Sequence, residues 1–225
     1  MAEKLKAIVF DMDGLLIDSE PLWRQAEQEL FRTLGVHLDE QMCRQTTGLS
    51  TEEVVSYWYQ RYPWENANIK SLARALEERV IELVIEKGQA MPGTYELIAH
   101  CLAQNHILAV ASGSVSRIIE TVLDKLMLRD AISLFHSAEH EVRGKPDPAV
   151  YLGTLKRLGI SANQAIAFED SLPGVKAAIA AGLFTVAVPD IQAERAPFAI
   201  ADVVVNDLYA AIHLPMLRPP HPKQL

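Results

Sequence analysis

Two aspartates, Asp11 and Asp13, follow the short apolar segment Ala7–Phe10 near the N-terminus. Two carboxylates that leave a buried strand at positions i and i+2 can both reach into the space above the sheet. Like charges held so close do not both ionise cheaply, so a divalent cation lies between them or one of them keeps a proton. Either arrangement serves acid–base or metal-assisted chemistry. An EF-hand loop is disfavoured, because a strand precedes the acids and Gly14 follows Asp13 directly.

Polar residues of complementary types recur at three later points. Ser112 and Gly113 follow a second strand-like segment and precede a helix, where a hydroxyl and free N–H groups would face an anion, although Ser112 also serves as a helix cap. Lys145 lies in the turn G-K-P-D-P, where it is a fixed positive charge or a plain surface lysine. Glu169 and Asp170 leave another buried strand. Together these groups supply what Mg²⁺-assisted phosphoryl transfer requires, namely hard oxygen ligands, a cation and a nucleophile.

The elements that must position these residues are short apolar strands that alternate with helix-like stretches. Continuous apolar runs indicate strands covered on both faces, and their alternation with helices indicates parallel β–α units. The predicted strands cover residues 7–10, 107–111, 132–135, 165–168, 184–188 and 203–205. The predicted helices of this part cover residues 95–104, 115–126, 148–158, 172–181 and 208–213. The sequence therefore predicts an α/β fold with a doubly wound parallel sheet.

About 95 residues without a strand signal separate the first two predicted strands, far more than a βα connection needs. Helices are predicted there at residues 20–34, 40–45, 51–61 and 67–86. We therefore expect an all-helical cap domain over residues 19–88, inserted into a core domain formed by residues 1–18 and 89–214. An insertion at this point lies beside the carboxyl ends of the strands, where such sheets bind ligands, so it is a candidate lid. Residues 215–225 contain four prolines and are predicted to be a flexible tail.

Composition limits the classes of protein to which the chain can belong. The 225 residues are 49% hydrophobic and 22% charged, which excludes disorder of the bulk, and the formal charge of −8 argues against a nucleic-acid partner. No apolar run approaches the roughly 20 residues of a membrane span, and the N-terminus does not resemble a signal peptide. Cys43 and Cys101 belong to no CxxC pair, so we expect reduced thiols and no structural zinc. A cytoplasmic monomer is predicted.

The four chemically informative segments resemble a known family. In this order, D-M-D-G-L-L-I-D-S, A-S-G-S, G-K-P-D-P and E-D-S are similar to the four motifs of the haloacid dehalogenase (HAD) superfamily, in the branch with a helical cap after the first motif. The resemblance spans nearly the whole chain. Within that branch, the cap segment S-E-P-L-W at residues 19–23, Gly48-Leu49 and the aromatic residues near Trp58 resemble bacterial hexose and hexitol phosphatases.

This resemblance implies a mechanism. Asp11 would attack phosphorus and become an aspartyl-phosphate, while Asp13 would protonate the leaving alcohol and then activate water. The implied ligands of the Mg²⁺ cofactor are Asp11, the backbone carbonyl of Asp13, Asp170 and, in or next to the coordination shell, Glu169. The implied phosphate-binding residues are Ser112, Gly113 and Lys145. A carboxylate can attack an anionic phosphate only where cations neutralise its approach, so the implied roles agree with the residue types.

The function expected from the resemblance is hydrolysis of small sugar or polyol phosphates. Trp23, beside the catalytic loop, is expected to contact the substrate, and Ser116 is a second candidate for such a contact. Aromatic residues at helical spacing are more often part of a core, which is the expectation for Tyr57, Trp58, Tyr59 and Trp64. None of the seven histidines has the spacing of a metal site.

Three other functions are compatible with parts of the same pattern. A dehalogenase would need neither a metal nor an acid at position 13. A β-phosphoglucomutase-like enzyme would share all four motifs, but such relatives hold a second phosphate with an arginine where this chain has Thr51, and have a hinge histidine where it has Trp23. Arg44 or Lys70 could still reach that phosphate. A non-catalytic phosphate-binding regulatory protein is the third alternative, although no catalytic motif is degraded.

Overall fold

A parallel sheet forms the centre of the protein in a computed structural model that describes residues 5–217. Its six strands in that range lie in the order β3-β2-β1-β4-β5-β6. The strands are β1 (Ala7–Phe10), β2 (Ile107–Ser112), β3 (Leu134–Ser137), β4 (Ala165–Glu169), β5 (Phe184–Ala187) and β6 (Val203–Val204). All neighbouring pairs are parallel, and the chain order reverses direction on either side of β1. The predicted doubly wound α/β sheet is confirmed, and its switch point lies beside β1.

Nine α-helices lie within the described residues. Those of the inserted segment are α1 (Glu20–Thr33), α2 (Glu40–Cys43), α3 (Thr51–Arg61) and α4 (Ile69–Lys87). Those around the sheet are α5 (Thr94–Ala103), α6 (Ser116–Lys125), α7 (Ala149–Leu158), α8 (Leu172–Ala180) and α9 (Leu208–Ala211). None of the helices between residues 5 and 217 is both long and apolar enough to span a bilayer.

The position of β1 inside the sheet, between β2 and β4, explains why its sequence is apolar at every residue. Ile8 and Phe10 face one side of the sheet and join the cluster that includes the inner faces of α5 and α6. Ala7 and Val9 face the other side, where they pack with residues of α7 and α8. All four side chains are fully buried. A strand covered by helices on both faces has no polar face, so its residues do not alternate.

The helical cap leaves the core and returns to it through two adjacent segments. The N–H of Asp18 donates to Gln89 O at 3.0 Å, and the N–H of Met91 donates to Leu16 O at 3.0 Å. Within the cap, α1 and α3 both pack on α4. A capping box at Ser50 begins α3. Because the outgoing and returning segments are hydrogen-bonded to each other, the two chain connections of the cap lie side by side beside the end of β1. A second contact with the core is made by α4, which packs on α6.

The observed ends of several elements differ from those expected by one or two residues. The third strand was predicted at residues 132–135, but its pairing with β2 begins at Leu134, while Ile132 is buried just before the strand. The second cap helix, predicted at residues 40–45, ends at Cys43 and continues as a 3₁₀ turn, Arg44–Thr46. Of the predicted tail, Pro215–Leu217 forms a 3₁₀ turn with Leu217 buried, and residues 218–225 lie outside the described residues.

Candidate active site

Asp11 and Asp13 leave the end of β1 in different directions. The N–H of Asp11 still donates to Phe168 O of β4 at 2.9 Å, and its side chain is buried. The chain then turns at Gly14, whose φ of +74° lies in the left-handed region that glycine tolerates. A β-carbon at Gly14 would also collide with the Asp170 carboxylate. The glycine of the first motif therefore allows the loop to approach the acids at the end of β4.

A cluster of three carboxylates lies at the ends of β1 and β4. Asp11, Glu169 and Asp170 each offer an oxygen, and these oxygens lie within 4.8 Å of one another. Burial, followed by the charge of the Glu169 carboxylate, raises the pKa of Asp11 to about 7. Burial followed by the Asp11 charge raises the pKa of Asp170 well above its ordinary value. Taking carboxylates out of water without a compensating cation is costly, so this cluster favours proton uptake or a bound cation.

Lys145 provides the cationic side chain at this cluster. Its Nζ lies 2.8 Å from Asp11 Oδ1 and 2.5 Å from Glu169 Oε1, and it donates to Ala111 O at 3.1 Å. Burial alone would lower the pKa of Lys145, but the Asp11 and Glu169 charges raise it above its ordinary value. The lysine therefore stays charged between two acids.

The donor set fits a divalent cation such as Mg²⁺. Three ionised carboxylates and one ammonium leave a formal charge of −2, which one Mg²⁺ would neutralise. Asp170 Oδ1 is buried and has no hydrogen-bond partner. A buried carboxylate oxygen rarely lacks a partner, and carboxylate oxygens are the ligands that Mg²⁺ prefers. The orphaned oxygen and the uncompensated charge both point to a cation.

The Asp13 carboxylate lies outside this cluster and accepts hydrogen bonds from neutral groups. Its Oδ1 accepts from Ser19 Oγ at 2.6 Å and from the Trp23 indole N–H at 3.2 Å. Its Oδ2 accepts from Ser114 Oγ at 2.7 Å and, more weakly, from Ser112 Oγ at 3.4 Å. The Asp13 side chain therefore faces the cap and the turn after β2, and it is not among the three carboxylates that could hold a metal.

The turn after β2 contains the other predicted phosphate-binding residues. Ser112 is the last residue of β2, is fully buried, and accepts a hydrogen bond from the N–H of Ser114 at 3.0 Å. Gly113 is exposed between them. Ser116, by contrast, contacts the segment after β3: its N–H donates to Glu139 Oε1 at 3.0 Å, and its hydroxyl lies 3.3 Å from His140 Nε2. No hydrogen bond found within the described residues links Ser116 to Asp13.

Three residues at the site were not singled out from the sequence. Ser19 and Ser114 both donate to Asp13. Both are the last residues of family motifs, D-M-D-G-L-L-I-D-S and A-S-G-S, so their position in the sequence could have indicated a role at the site. Tyr151 donates to Glu169 Oε1 at 2.5 Å from within α7. Its position in an apolar helix face gave no sign of this contact, since the same pattern describes a core residue.

A polar cleft of about 180 Å³ opens between the cap and the carboxylate cluster. Asp170 lies in its lining, together with two cap arginines, Arg24 and Arg44. The Arg24 guanidinium pairs with Glu20 at 3.0 Å. The acids of the core are therefore reached from the side on which the cap is attached.

Comparison with known proteins shows similarity over nearly the whole chain. Residues 8–188 match the family described as haloacid dehalogenase-like hydrolase. The chain is 38% identical over 207 residues to hexitol phosphatase B of Escherichia coli (strain K12), covering 91% of this chain and 93% of that protein. The crystal structure of CbbY from Rhodobacter sphaeroides in complex with phosphate superimposes with a TM-score of 0.84 at 29% identity, over 93% of this chain and 96% of that one. A mutant of the same CbbY in complex with xylulose-(1,5)bisphosphate gives a TM-score of 0.82 at 28% identity, over 91% and 95% of the two chains.

Proposed function

This chain belongs to the haloacid dehalogenase-like hydrolase family, and we propose that it is a Mg²⁺-dependent phosphatase acting on monoesters of small sugars or polyols. One observation carries the proposal: Asp11, the buried residue that follows β1, lies 2.8 Å from the Lys145 ammonium in a carboxylate cluster whose formal negative charge exceeds its positive charge. Asp13, two residues further, faces away from that cluster. Two aspartates with such different surroundings suit two different roles.

Asp11 is the proposed nucleophile. Its carboxylate oxygen would form a bond to phosphorus while the bond between phosphorus and the ester oxygen breaks, leaving an aspartyl-phosphate. Lys145, with the Ser112 hydroxyl and the Gly113 N–H, would hold the phosphoryl oxygens, and a cation at this point reduces the repulsion between the carboxylate and the phosphate. Bound Mg²⁺ would supply further charge neutralisation. Its proposed ligands are Asp11, the backbone carbonyl of Asp13, Asp170 and Glu169.

Asp13 is the proposed general acid and base. In its protonated form it would give its proton to the departing alkoxide, and as a carboxylate it would then remove a proton from the water that attacks the aspartyl-phosphate. Its four neutral donors orient both of its oxygens. Two of those donors belong to residues 19–23 at the base of the cap, which places Asp13 at the boundary between cap and core.

The proposed substrate class rests on similarity and on the character of the cap. The relative with 38% identity is named for hexitol phosphates, and the R. sphaeroides structure contains a sugar bisphosphate. Trp23 and Ser116 remain the proposed substrate contacts. Thr51, which replaces the arginine of the mutase-like relatives, donates to Glu77 Oε1 at 2.7 Å. A second phosphate at that position would meet a carboxylate, so hydrolysis is favoured over transfer between two positions of one sugar.

The deciding experiment is phosphate release by the purified enzyme. We expect Mg²⁺-dependent hydrolysis of p-nitrophenyl phosphate that EDTA abolishes, and the highest kcat/KM within a metabolite panel for hexose or hexitol phosphates. Phosphate binding without any release would instead support a non-catalytic binding protein. Incubation with glucose 1-phosphate distinguishes a phosphatase from a β-phosphoglucomutase-like enzyme, since a phosphatase yields free glucose and a mutase yields glucose 6-phosphate. We also propose that the protein acts as a cytoplasmic monomer, which size-exclusion chromatography with light scattering tests for the oligomeric state.

A further inference from the structure

Tyr151 is a fully buried aromatic residue that the proposed mechanism does not use. Its ring lies on the inner face of α7 and packs in the cluster that contains Ala7 and Val9 of β1. Its only polar side-chain atom, the hydroxyl, donates to Glu169 Oε1 at 2.5 Å. A neutral tyrosine hydroxyl has one proton to donate, and here the acceptor is a carboxylate. The apolar cluster around the ring thus offers no partner to the Tyr151 hydroxyl, which instead forms its hydrogen bond with the carboxylate cluster.

The same oxygen of Glu169 receives the Lys145 ammonium. Lys145 Nζ lies 2.5 Å from Glu169 Oε1 and 5.3 Å from the centre of the Tyr151 ring. Tyr151 therefore contacts Glu169 through its hydroxyl and approaches Lys145 with its ring face. Glu169 is fully buried, and the one other donor to its side chain found among the described residues besides these two is the Ser171 hydroxyl at 3.3 Å.

Lys145 has to divide its interactions between Glu169 and Asp11, the proposed nucleophile. The two distances, 2.5 Å and 2.8 Å, show that the ammonium already lies slightly closer to Glu169. The Tyr151 hydroxyl is a neutral donor that satisfies one hydrogen bond of Glu169 Oε1 without adding charge. Because Glu169 then depends less on Lys145, the ammonium can interact more strongly with Asp11 and with phosphoryl oxygens. Without the Tyr151 hydroxyl, a fully buried carboxylate would rely on the lysine alone at that oxygen.

From this geometry we propose that Tyr151 is a positioning residue of the phosphoryl-transfer site, acting through Glu169 to hold that carboxylate in the metal-binding cluster and Lys145 against Asp11. The inference rests on the proposed function, whose residues it extends by one. It makes Tyr151 the residue through which α7, on the far side of the sheet from the cap, contributes to catalysis. Groups that hold metal ligands from behind commonly affect metal affinity and turnover as strongly as some ligands do.

The test is Tyr151→Phe, which removes the hydroxyl and keeps the ring. We expect the dissociation constant of Mg²⁺, measured by titration calorimetry on substrate-free enzyme, to rise about 10-fold. With p-nitrophenyl phosphate, kcat should fall about 10-fold while KM changes less than about twofold, because the lost contact acts on the reacting groups and not on the leaving group. The matched control is Tyr95→Phe, since Tyr95 is 47% exposed on α5, and it should match the wild type in every measurement.

A double-mutant cycle shows whether Tyr151 acts through Glu169. In a Glu169→Ala background, where the acceptor of the Tyr151 hydroxyl is absent, Tyr151→Phe should change Mg²⁺ affinity and kcat less than about twofold. Equal effects in both backgrounds would overturn the proposal. So would Tyr151→Phe enzyme with unchanged Mg²⁺ affinity and kcat but a lower melting temperature, because that outcome describes a residue of the core only. If wild-type enzyme binds Mg²⁺ but releases no phosphate, the proposed function fails, while the calorimetric comparison still decides the role of Tyr151.

Discussion

The core and the cap each bury an acid whose pKa is raised to about 7, but the two acids have different surroundings. Asp11 in the core faces Lys145 and two further carboxylates. Glu27, on α1 of the cap, is equally buried, and its Oε2 accepts from the Thr46 hydroxyl at 3.2 Å. In both cases burial is the main cause of the raised pKa.

The difference lies in what each acid needs to become ionised. Asp11 has an ammonium in contact and belongs to a cluster that a divalent cation would complete, so it can work as a carboxylate. Glu27 accepts from the Thr46 hydroxyl, and Arg24 on the same helix lowers its pKa only weakly, because the Arg24 guanidinium is in contact with Glu20 instead. A buried acid without a cation is satisfied by keeping its proton. Burial of an acid therefore indicates chemistry only where the surroundings support its charge.

Replacing Asp11 should have the largest effect of any substitution on activity and little effect on stability. Asp11→Asn removes the proposed nucleophile, so phosphate release should fall by about 10⁴-fold or more. It also removes one of three mutually repelling carboxylates, so the melting temperature in EDTA should be equal to or above that of the wild type. A coupled phosphate-release assay and thermal denaturation followed by circular dichroism provide the two measurements. Substantial turnover by a folded Asp11→Asn enzyme would remove Asp11 from the proposed role.

Replacing Asp13 should slow the reaction less, and unequally for different leaving groups. Asp13→Asn should lower turnover of a hexitol phosphate by about 10²–10⁴-fold, because the alkoxide needs a proton. p-Nitrophenolate leaves without one, so this variant should release about one equivalent of it in a burst and then stall, as the aspartyl-phosphate lacks its general base. Rapid-quench measurement of the burst checks this expectation. Equal slowing of both substrates in the first turnover would contradict the role of Asp13 as an acid.

The same comparison explains how much could be predicted from the sequence. Phe10 pairs with Phe168 and with Val110, so the residues that follow these strands must meet at one edge of the sheet. That register follows from parallel strands, and it made the cluster of Asp11, Glu169 and Asp170 predictable. Helix surroundings are set by tertiary packing. Helical spacing in α1 places Glu27 four residues from Trp23 and from Phe31, on the apolar face, and Glu29 on the polar face. The sequence does not show which distant side chain meets each acid, namely Thr46 at Glu27 and Arg79 at Glu29.

Trp23 lies between the two regions, and its substitution should have a smaller effect. Trp23→Phe keeps an aromatic ring but removes the N–H that donates to Asp13, while Ser19 and Ser114 still donate to it. We expect kcat for a hexitol phosphate to fall about 3–10-fold. The rate constant of the first turnover of p-nitrophenyl phosphate should change less than about twofold. Trp64→Phe is the matched control, because the Trp64 N–H has no hydrogen-bond partner and its ring packs on Phe31. A raised KM with unchanged kcat would instead show that Trp23 acts only as the predicted substrate contact.

Glu27→Gln should have the smallest effect on activity, with turnover within about twofold of the wild type. Its effect on stability should depend on pH. Below the ordinary pKa of 4.5 the glutamate is protonated in both the folded and unfolded chains. Between pH 4.5 and about 7, the unfolded chain loses the proton while the folded chain keeps it, so the wild type loses stability as pH rises through this range. Glutamine cannot titrate and avoids that loss.

The difference in free energy of unfolding, Glu27→Gln minus wild type, should therefore increase by about 2–3 kcal/mol between about pH 4 and pH 8, and become constant above that. Urea denaturation at a series of pH values gives the difference directly, and the subtraction cancels every other titrating group. The matched control is Glu29→Gln: its partner Arg79 lowers the pKa of Glu29, so that difference should change in the opposite direction. If the difference in free energy of unfolding between Glu27→Gln and the wild type does not change with pH, the cap supports the charged form of its buried acid as the core does. The contrast between the two regions would then disappear.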